Sequence, residues 1–258
     1  MKSILKKMAA VAVIFSVTSL SSSSIMQAQV GEKDVNFTVQ GDLVSSYVWR
    51  GMYQTGASIQ PTLGFTIGGF SLTAWGSTDF DGCQASEGRA NKEIDLTATY
   101  TFGSTGLILS VADLWWPGQG TGNYFKFKSH ETAHHFEAGL AYTLPVEKFP
   151  LSIVWYMMFA GQDKKENDRG EMKQNYSSYM EFNYPFSVKT VDLNVTCGIV
   201  PYTAPQYNCN GFAVTNIALK GTTAIRFSDR FSLPVFAQAI WNPRMEDAHL
   251  VFGITLKP

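Results

Sequence analysis

The sequence predicts an all-β protein, a transmembrane antiparallel up-and-down β-barrel of about 12 strands. Three observations predict it: apolar and polar residues alternate along many segments, long and short connections alternate between them, and aromatic residues cluster near both kinds of connection. The chain has 258 residues, of which 45% are hydrophobic, 14% aromatic and only 16% charged. Soluble domains carry about 25% charge, and disordered chains are rich in charge and poor in aromatics. No apolar run of about 20 residues follows the first 28, which argues against a helical membrane bundle.

The N-terminal segment has the pattern of a secretory signal peptide. Three lysines precede an apolar stretch of 12 residues (9–20), which is too short to span a bilayer. We expect cleavage after Ala28, so that residues 1–28 are a signal peptide and residues 29–258 the barrel. Without Lys2, Lys6 and Lys7 the chain keeps 17 basic against 21 acidic residues, a net charge of −4. A nucleic-acid partner is not expected, because such proteins carry a basic surface.

The alternation begins at Phe37 and continues to the end of the chain. The first segment places one set of side chains on one face (Phe37, Val39, Leu43, Tyr47, Trp49) and another on the opposite face (Gln40, Asp42, Ser46, Arg50). Eleven further segments follow: 63–67, 70–74, 94–102, 107–111, 136–144, 151–159, 180–184, 191–199, 217–227, 233–241 and 250–256. Side chains in a strand alternate between its two faces, so one face of each segment is apolar.

The connections favour a membrane barrel over a soluble sandwich. The odd-numbered connections are interpreted as long (51–57, 79–91, 116–133, 161–173, 202–211, 242–247), and the even-numbered ones as tight (68–69, 103–106, 145–150, 185–190, 228–230). Greek-key sandwiches have no reason to sort their loops in this way, whereas outer-membrane barrels combine short periplasmic turns with longer extracellular loops. We therefore expect an outer-membrane location, both termini in the periplasm, and outer-membrane lipid and the barrel-insertion machinery as partners.

Aromatic residues fall near the two ends of the predicted strands. Near the long connections lie Trp49, Tyr53, Trp115, Trp116, Phe159, Tyr176 and Trp241. Near the tight ones lie Phe65, Phe70, Tyr100, Phe102, Tyr142, Phe149, Tyr184, Phe186, Phe227 and Phe231. Two belts of amphipathic rings are typical of the two lipid–water interfaces.

The segment from Leu43 to Phe80 resembles a family of bacterial outer-membrane barrels named Gcw_chp or TorF. The matching signature is V-S-x-Y-x-x-R-G, then Q-P, then W-x-S: Val44, Ser45, Tyr47, Arg50, Gly51, Gln60, Pro61, Trp75 and Ser77. The resemblance implies an outer-membrane barrel, and the family has no settled activity. The final residues 256–258 depart from the terminal aromatic of barrel-insertion signals, although Phe252 lies nearby.

The alternation also predicts which charges face the lumen. Six acids and three bases are predicted to point inward: Asp42, Glu93, Asp95, Glu137, Glu181 and Asp192, with Arg50, Lys220 and Arg226. Such charges tune selectivity when a lumen is open, and the acidic excess favours cations or neutral polar solutes. We hypothesise a narrow passive channel for small polar solutes. The alternatives are a closed structural or surface-interaction barrel, in which these charges pair across strands, and an outer-leaflet lipid hydrolase.

Other chemistry is weakly indicated. His130, Glu131 and His134 form an H-E-x-x-H motif, but residues i and i+4 share a zinc ion only on a helix, and a predicted strand follows directly. A hydrolase would need a serine such as Ser129 or Ser177 beside a histidine. We expect no cofactor and no metal. Among the three cysteines, a Cys83–Cys209 or Cys197–Cys209 disulfide is feasible, with Cys197 on the lipid-facing side of its strand.

Overall fold

The computed structural model describes residues 34–80, 91–117, 123–128, 131–229 and 231–258. These residues form sixteen β-strands and one short 3-10 helix, Pro205–Tyr207. The strands are β1 (Val35–Val44), β2 (Tyr47–Trp49), β3 (Met52–Thr55), β4 (Ser58–Ile67), β5 (Phe70–Asp79), β6 (Lys92–Thr101), β7 (Leu107–Trp115), β8 (His134–Thr143), β9 (Ser152–Gly161), β10 (Lys164–Glu166), β11 (Met172–Gln174), β12 (Ser178–Val188), β13 (Val191–Val200), β14 (Ala213–Arg226), β15 (Ser232–Asn242) and β16 (Asp247–Leu256). No helix among them is long and apolar enough to span a membrane.

Twelve of these strands close into one antiparallel barrel, which confirms the predicted fold class. Going round the wall, the order is β1, β16, β15, β14, β13, β12, β9, β8, β7, β6, β5 and β4. Strand β1 closes the ring, because it pairs with β4 on one side (Asp42 opposite Gln60) and with β16 on the other (Asp42 opposite Thr255). The remaining four strands are not part of the wall and form two small hairpins, β2–β3 and β10–β11.

The wall is apolar outside and carries both polar and apolar side chains inside. Each of the twelve strands exposes at least one large apolar side chain: Phe37, Leu63, Leu72, Leu96, Val111, Leu140, Trp155, Phe186, Val195, Leu219, Trp241 and Leu250. The alternate positions are buried and polar in many strands, as in Gln40 opposite Thr62. Paired residues of neighbouring antiparallel strands lie on the same face of the sheet. The pairing therefore keeps the outward face and the inward face continuous around the whole barrel.

The two ends of the barrel differ in their connections. One end, the turn rim, has the connections 68–69, 102–106, 144–151, 189–190 and 227–231, and both ends of the described chain lie there. The other end, the loop rim, has 45–57, 80–91, 116–133, 162–177 and 201–212. The last loop-rim connection was predicted to be long, but it comprises only residues 243–246 and is shorter than 144–151. The predicted strict alternation is therefore wrong at this connection, where Asn242 and Asp247 pair directly.

The first strand was predicted to run from Phe37 to Arg50, which is too long. In the structure this strand ends at Val44, which pairs with Ser58 at the start of β4. Ser45 caps this end, since its amide donates to the carbonyl of Phe252 (2.8 Å) and its hydroxyl accepts from the Phe252 amide (2.9 Å). The chain then leaves the wall as the β2–β3 hairpin, whose strands and turn (residues 47–55) are called the plug hairpin below.

The aromatic belts form more fully at the turn rim than at the loop rim. Rings pack against each other there, as in Tyr100 with Phe102, whose centroids are 4.9 Å apart. At the loop rim Phe159, Tyr176 and Trp241 are exposed as predicted. Trp49 and Trp115 are instead 4% and 3% exposed, so their placement in a belt was wrong. Trp49 belongs to the plug hairpin, and the ring of Trp115 is covered by Tyr124 (5.4 Å between centroids).

Candidate functional site

The plug hairpin turns back on itself at Arg50 and Gly51. Both residues have positive φ (51° and 85°), which is the backbone of a tight two-residue hairpin turn. The tip lies against the wall at β14, three strands away from β1, since a Cβ on Gly51 would come within 1.9 Å of the Thr215 carbonyl oxygen. The amide of Asn242 on β15 donates to the Gly51 carbonyl (3.1 Å). The hairpin therefore crosses the lumen from its origin between β1 and β4.

Arg50 makes a buried ion pair with Glu137 of β8. Its two terminal nitrogens donate to the two carboxylate oxygens at 2.7 and 2.8 Å, and the side chains are 4% and 3% exposed. This bidentate geometry is the strongest arrangement of a guanidinium with a carboxylate. The pair, called the latch below, connects the tip of the hairpin to the wall.

Aromatic rings surround the guanidinium of Arg50. Its central carbon lies 4.6 Å from the ring centroid of Trp49, 4.2 Å from that of Tyr156 and 4.8 Å from that of Tyr179. Cations are attracted to the faces of such rings, the more strongly when water is excluded. The cluster fills the lumen at the level of the latch.

A second loop-rim segment completes this cluster. The 3-10 helix Pro205–Tyr207 is held by the bridge between Ala204 and Cys209, and Tyr207 is 1% exposed. The hydroxyl of Tyr207 accepts from Arg50, and its ring stacks on Trp49 at 5.4 Å and 16°. Burial raises the pKa of Tyr207, and the charge of Arg50 opposes this rise. The phenol therefore remains protonated at neutral pH.

Polar networks line the wall beside the latch. The Tyr179 hydroxyl donates to Glu181 (2.7 Å), as does the amide of Asn183 (2.8 Å). Asn183 in turn accepts from Thr196 (2.7 Å) and Asn194 (2.9 Å). These bonds connect β12 and β13 on the inner side of the wall.

Carboxylates are also concentrated on the side of the lumen opposite Glu181. Glu93 and Asp95 lie two residues apart on the inward face of β6 and pair with Ser77 and Trp75 of β5. The ring of Tyr47, from the plug hairpin, packs edge-on against Trp75 at 5.5 Å. The hairpin thus contacts this side of the wall as well.

Asp42 and Lys220 occupy a third part of the interior. Asp42 is fully buried and accepts from Thr255 (2.6 Å) and Gln40 (3.0 Å). The ammonium of Lys220 lies 4.2 Å from the ring centroid of Phe236. The interior therefore holds five of the predicted acids and two of the predicted bases.

Between the latch and the turn rim the lumen wall carries further polar groups beside apolar ones such as Val154. Buried polar atoms there have no partner among the described residues: the hydroxyls of Thr62, Thr143, Ser152 and Tyr156, and the side-chain oxygen of Asn194. Buried polar groups in proteins are nearly always hydrogen-bonded, to water where no protein group is near. This part of the lumen therefore has the chemistry of a hydrated space.

Seven of the nine charges predicted for the lumen lie inside it, and two do not. Asp192 is exposed at the turn rim, where it accepts from Ser187 (2.7 Å). Arg226 is 70% exposed there and pairs with Asp229 at 2.5 Å. Both residues lie at inward positions in the alternation of their strands. They are exposed because they lie next to the turns, beyond the part of the lumen that the wall encloses.

The predicted signature residues come together around the plug. Tyr47, Arg50 and Gly51 form the hairpin, and Trp75 packs on Tyr47. The alternation alone missed Tyr156, Tyr179 and Tyr207, which surround Arg50. The sequence held one signal for them. In the alternation of their strands, Tyr156 and Tyr179 fall on the same face as nearby polar residues.

Cys197 and Cys209 form no disulfide with each other, so the Cys197–Cys209 pairing, which the sequence left open, is not formed among the described residues. Cys197 is half-buried on the outward side of β13, opposite Phe182 and Ile217. The thiol of Cys209 donates to the Tyr207 carbonyl (3.2 Å), and burial raises its pKa. Cys83 lies outside the described residues, and so does the Cys83–Cys209 pairing.

The H-E-x-x-H segment does not assemble a metal site among the described residues. His130 lies outside them, as does Ser129. The ring of His134 is fully buried, with its nitrogens 2.6 Å from the Asp113 carboxylate and 2.6 Å from the Tyr124 carbonyl. Lys128 and Lys126 bind Glu131 and lower the pKa of its carboxyl group. No group of three or more potential ligands occurs in the described part of the chain.

Ser177, the second candidate nucleophile, is bound to an acid. Its hydroxyl donates to Asp163 (2.6 Å), and its amide donates to the other oxygen of the same carboxylate (2.8 Å). These bonds fix the base of the β10–β11 hairpin. They give Ser177 a structural role.

Comparison with known proteins gives no family. No protein-family model matches the chain, and no curated protein matches it. Among solved structures the chain is similar to a Salmonella typhi OmpF in complex with daunomycin. The sequence identity is 8%, the TM-score is 0.34, and the match covers 88% of this chain and 98% of that one. The resemblance to the Gcw_chp or TorF barrels stays a prediction.

Proposed function

We propose that this chain is an outer-membrane β-barrel that conducts small polar or cationic solutes, and that the plug hairpin closes it in the conformation described. The observation that carries the proposal is the buried Arg50–Glu137 latch inside a lumen where many strands also bury polar side chains. The apolar outer surface of all twelve strands supports contact with membrane lipid. In this proposal the long connections lie outside the cell and both termini lie in the periplasm.

The charges of the interior support cations or neutral solutes over anions. Among the charges predicted for the lumen, five buried acids face two bases, so this set has a formal excess of three negative charges. A narrow low-dielectric path of this sign concentrates cations and repels anions. The unpartnered hydroxyls towards the turn rim support a hydrated path on that side of the latch.

A closed structural barrel is the second candidate, and the packing of the plug favours it. The rings of Trp49 and Tyr179 both stack on the ring of Tyr207 beside Arg50, so aromatic side chains are packed together inside the lumen. The two candidates differ in what happens when the latch is removed.

Planar-bilayer conductance of the Arg50→Ala variant distinguishes them. We expect the unsubstituted barrel to conduct rarely, and Arg50→Ala to open frequently, because the hairpin loses its connection to β8. Arg226→Ala is the matched control: it removes an exposed arginine and should conduct as the parent does. An Arg50→Ala barrel that inserts and never conducts would support the structural candidate.

A further inference from the structure

A carboxylate and an imidazole lie on the outward face of the wall, where β7 and β8 reach the loop rim. Asp113 of β7 pairs with Leu96, which is 40% exposed on the outer surface. His134 of β8 pairs with Trp115, two residues further along the same face of β7. Because paired residues of antiparallel strands share a face, all of these side chains point away from the lumen. The outer surface therefore departs from its apolar pattern at this place.

Two of these outward side chains are nevertheless buried. His134 is 0% exposed and Trp115 is 3% exposed, because residues 123–128 of the loop rim, called the cover segment below, lie over them. The ring of Tyr124 packs against both, with its centroid 5.4 Å from that of Trp115 and 5.0 Å from that of His134. Phe127 stacks on the His134 ring at 4.3 Å. The cover segment therefore lies on the outside of the barrel and not over the lumen.

His134 connects the cover segment to the wall through both of its ring nitrogens. Nδ1 lies 2.6 Å from the Asp113 carboxylate, and Nε2 lies 2.6 Å from the Tyr124 carbonyl oxygen. A carbonyl oxygen only accepts hydrogen bonds, so Nε2 donates to it. The imidazole thus joins a side chain of β7 to the backbone of the cover segment.

The cover segment leaves two phenyl rings exposed. Phe125 is 82% exposed and Phe127 is 52% exposed. Lys126 and Lys128 alternate with them, but both already bind Glu131, at 3.1 and 2.5 Å. The rings, and not the lysines, are therefore the groups that remain to bind a partner. An exposed apolar surface of this kind is typical of a contact with protein or membrane.

Continuity with the outer surface of the wall favours lipid as the partner. On one side of the cover segment, Ile94 is 40% exposed and pairs with the covered Trp115. On the other side, Phe159 is 39% exposed, and its ring lies 6.4 Å from that of Phe136. Aromatic rings are enriched at the level of the lipid headgroups. The exposed rings of the cover segment lie in the place where the covered Trp115 cannot reach lipid.

We propose that the cover segment is a lipid-binding surface that places Phe125 and Phe127 in the interfacial region of the leaflet next to the loop rim, and that His134 positions it there. Apolar rings at the boundary between headgroups and acyl chains bind a membrane by burying their surface in it. This inference rests on the proposed function, because it requires the barrel to lie in a membrane. The partner is phospholipid, and a second copy of this chain is the competing occupant.

Photo-crosslinking of the full barrel in nanodiscs of phosphatidylethanolamine and phosphatidylglycerol tests the contact. p-Benzoylphenylalanine replaces Phe125 in one variant, Val111 in a second and Tyr53 in a third. Val111 is 53% exposed on the outer wall, whereas Tyr53 is 40% exposed at the loop rim, with its ring 5.8 Å from His249 on the inner side of β16. Lipid adducts are counted by mass spectrometry. Their yield at position 125 should be within about twofold of position 111 and at least about fivefold above position 53, because interfacial rings contact lipid as wall residues do.

The three positions separate this inference from the proposed function. Crosslinks from position 125 to a second copy of the chain, or a lipid yield no higher than at position 53, would overturn lipid binding by the cover segment. Lipid adducts at position 111 would show in that case that the barrel still lies in the membrane. Absence of lipid adducts at position 111 as well would overturn the proposed function, and this inference with it.

The positioning role of His134 is tested with the photoreactive residue at position 125. His134→Ala removes the donor to the Tyr124 carbonyl and the stacking partner of Phe127, so lipid adducts at position 125 should fall at least about threefold. Adducts at position 111 should persist, and heat-modifiable migration checks that the barrel is folded. His249→Ala removes an inward histidine near the same rim and should change neither yield. Unchanged adducts at position 125 in His134→Ala, or an equal fall at position 111, would overturn the positioning role.

Discussion

Arg50 and Arg226 show how differently the same side chain acts at two depths. Both make an ion pair with a carboxylate, but the Arg50 pair is 4% and 3% exposed and the Arg226 pair 70% and 94%. Exposed pairs contribute about 0–1 kcal/mol. Removing one partner of a buried pair costs about 3–5 kcal/mol, because the other charge stays buried without compensation.

Glu137→Gln should therefore destabilise the barrel by about 3 kcal/mol. The substitution keeps the shape of the side chain and leaves the Arg50 charge unpaired beside three rings. Heat-modifiable migration on gels, or thermal unfolding in detergent, measures the effect. Asp229→Asn makes the same change at the exposed pair and should change stability by less than about 1 kcal/mol. Equal shifts in the two variants would contradict a buried latch.

Gly51 is a second residue whose role depends on its surroundings. Gly51→Ala should move the plug hairpin, because the added Cβ would lie 1.9 Å from the Thr215 carbonyl oxygen and φ is 85°. Gly103 also has positive φ (53°), but nothing lies within 4 Å of its Cβ position. Gly103→Ala should cost only the backbone strain, about 1–2 kcal/mol. Bilayer conductance should rise for Gly51→Ala and stay at the parent level for Gly103→Ala.

The plug hairpin is an element that the wall does not need for its own pairing. Val44 on β1 pairs with Ser58 on β4, and this register holds from there to Val35 opposite Ile67. The β10–β11 hairpin is likewise not part of the wall, and it belongs to a different loop-rim connection, 162–177. The two hairpins therefore form a matched pair for deletion.

Replacing residues 46–56 with a short Gly-Ser turn should leave a folded barrel with a much larger conductance. The wall keeps its hydrogen bonds, while the lumen loses Tyr47, Trp49 and Arg50 together. The same replacement of residues 165–173 should leave the conductance unchanged. A deletion barrel that is folded, by heat-modifiable migration, and yet silent would show that another part of the chain closes the lumen.

Period-two alternation predicted the wall because apolar residues outside and polar residues inside fall on opposite faces of a strand. That alternation is seen in Phe37 and Asp42 on β1 and in Thr255 and Leu256 on β16. It fails at Tyr47, Trp49 and Arg50, where the chain keeps the rhythm of a strand after it has left the wall. An apolar ring is stable against lipid and equally stable against other rings in the lumen, so rhythm alone could not place Trp49.

The latch could be predicted only in part, for a related reason. Alternation placed both Arg50 and Glu137 inside the barrel, since neither charge is stable against lipid. Their contact joins positions 87 residues apart, and it depends on a turn at Arg50 and Gly51 that folds across the lumen. A cleft at the loop rim, lined by residues of the plug hairpin, of the 3-10 segment and of the last connection, likewise combines three separate connections. No local pattern specifies such a meeting of loops.

At the scale of the whole molecule, the two rims should lie on opposite sides of the membrane. Lys165 in the β10–β11 hairpin and Ser104 in a tight turn are both exposed. Lys165→Cys should react with a membrane-impermeant maleimide on intact cells, whereas Ser104→Cys should react only after permeabilisation. The inverse pattern would reverse the proposed orientation, and equal labelling at both sites would contradict a spanning barrel.

The charge of the interior gives the last prediction, which concerns selectivity. Glu137 is committed to the latch, so its replacement would change closure as well as charge. Asp95 tests charge separately from closure, because it lies on β6 opposite Trp75 and Leu114 and not on β8, where Arg50 binds Glu137.

In the barrel that lacks residues 46–56, the positive charge of Arg50 is gone, and the excess of acids over bases along the path is larger still. Asp95→Asn in this background should lower the cation-to-anion permeability ratio measured from reversal potentials, since an acidic path concentrates cations. Asp229→Asn, at an exposed turn, should leave that ratio unchanged. A path that prefers anions before either substitution would contradict conduction along these carboxylates.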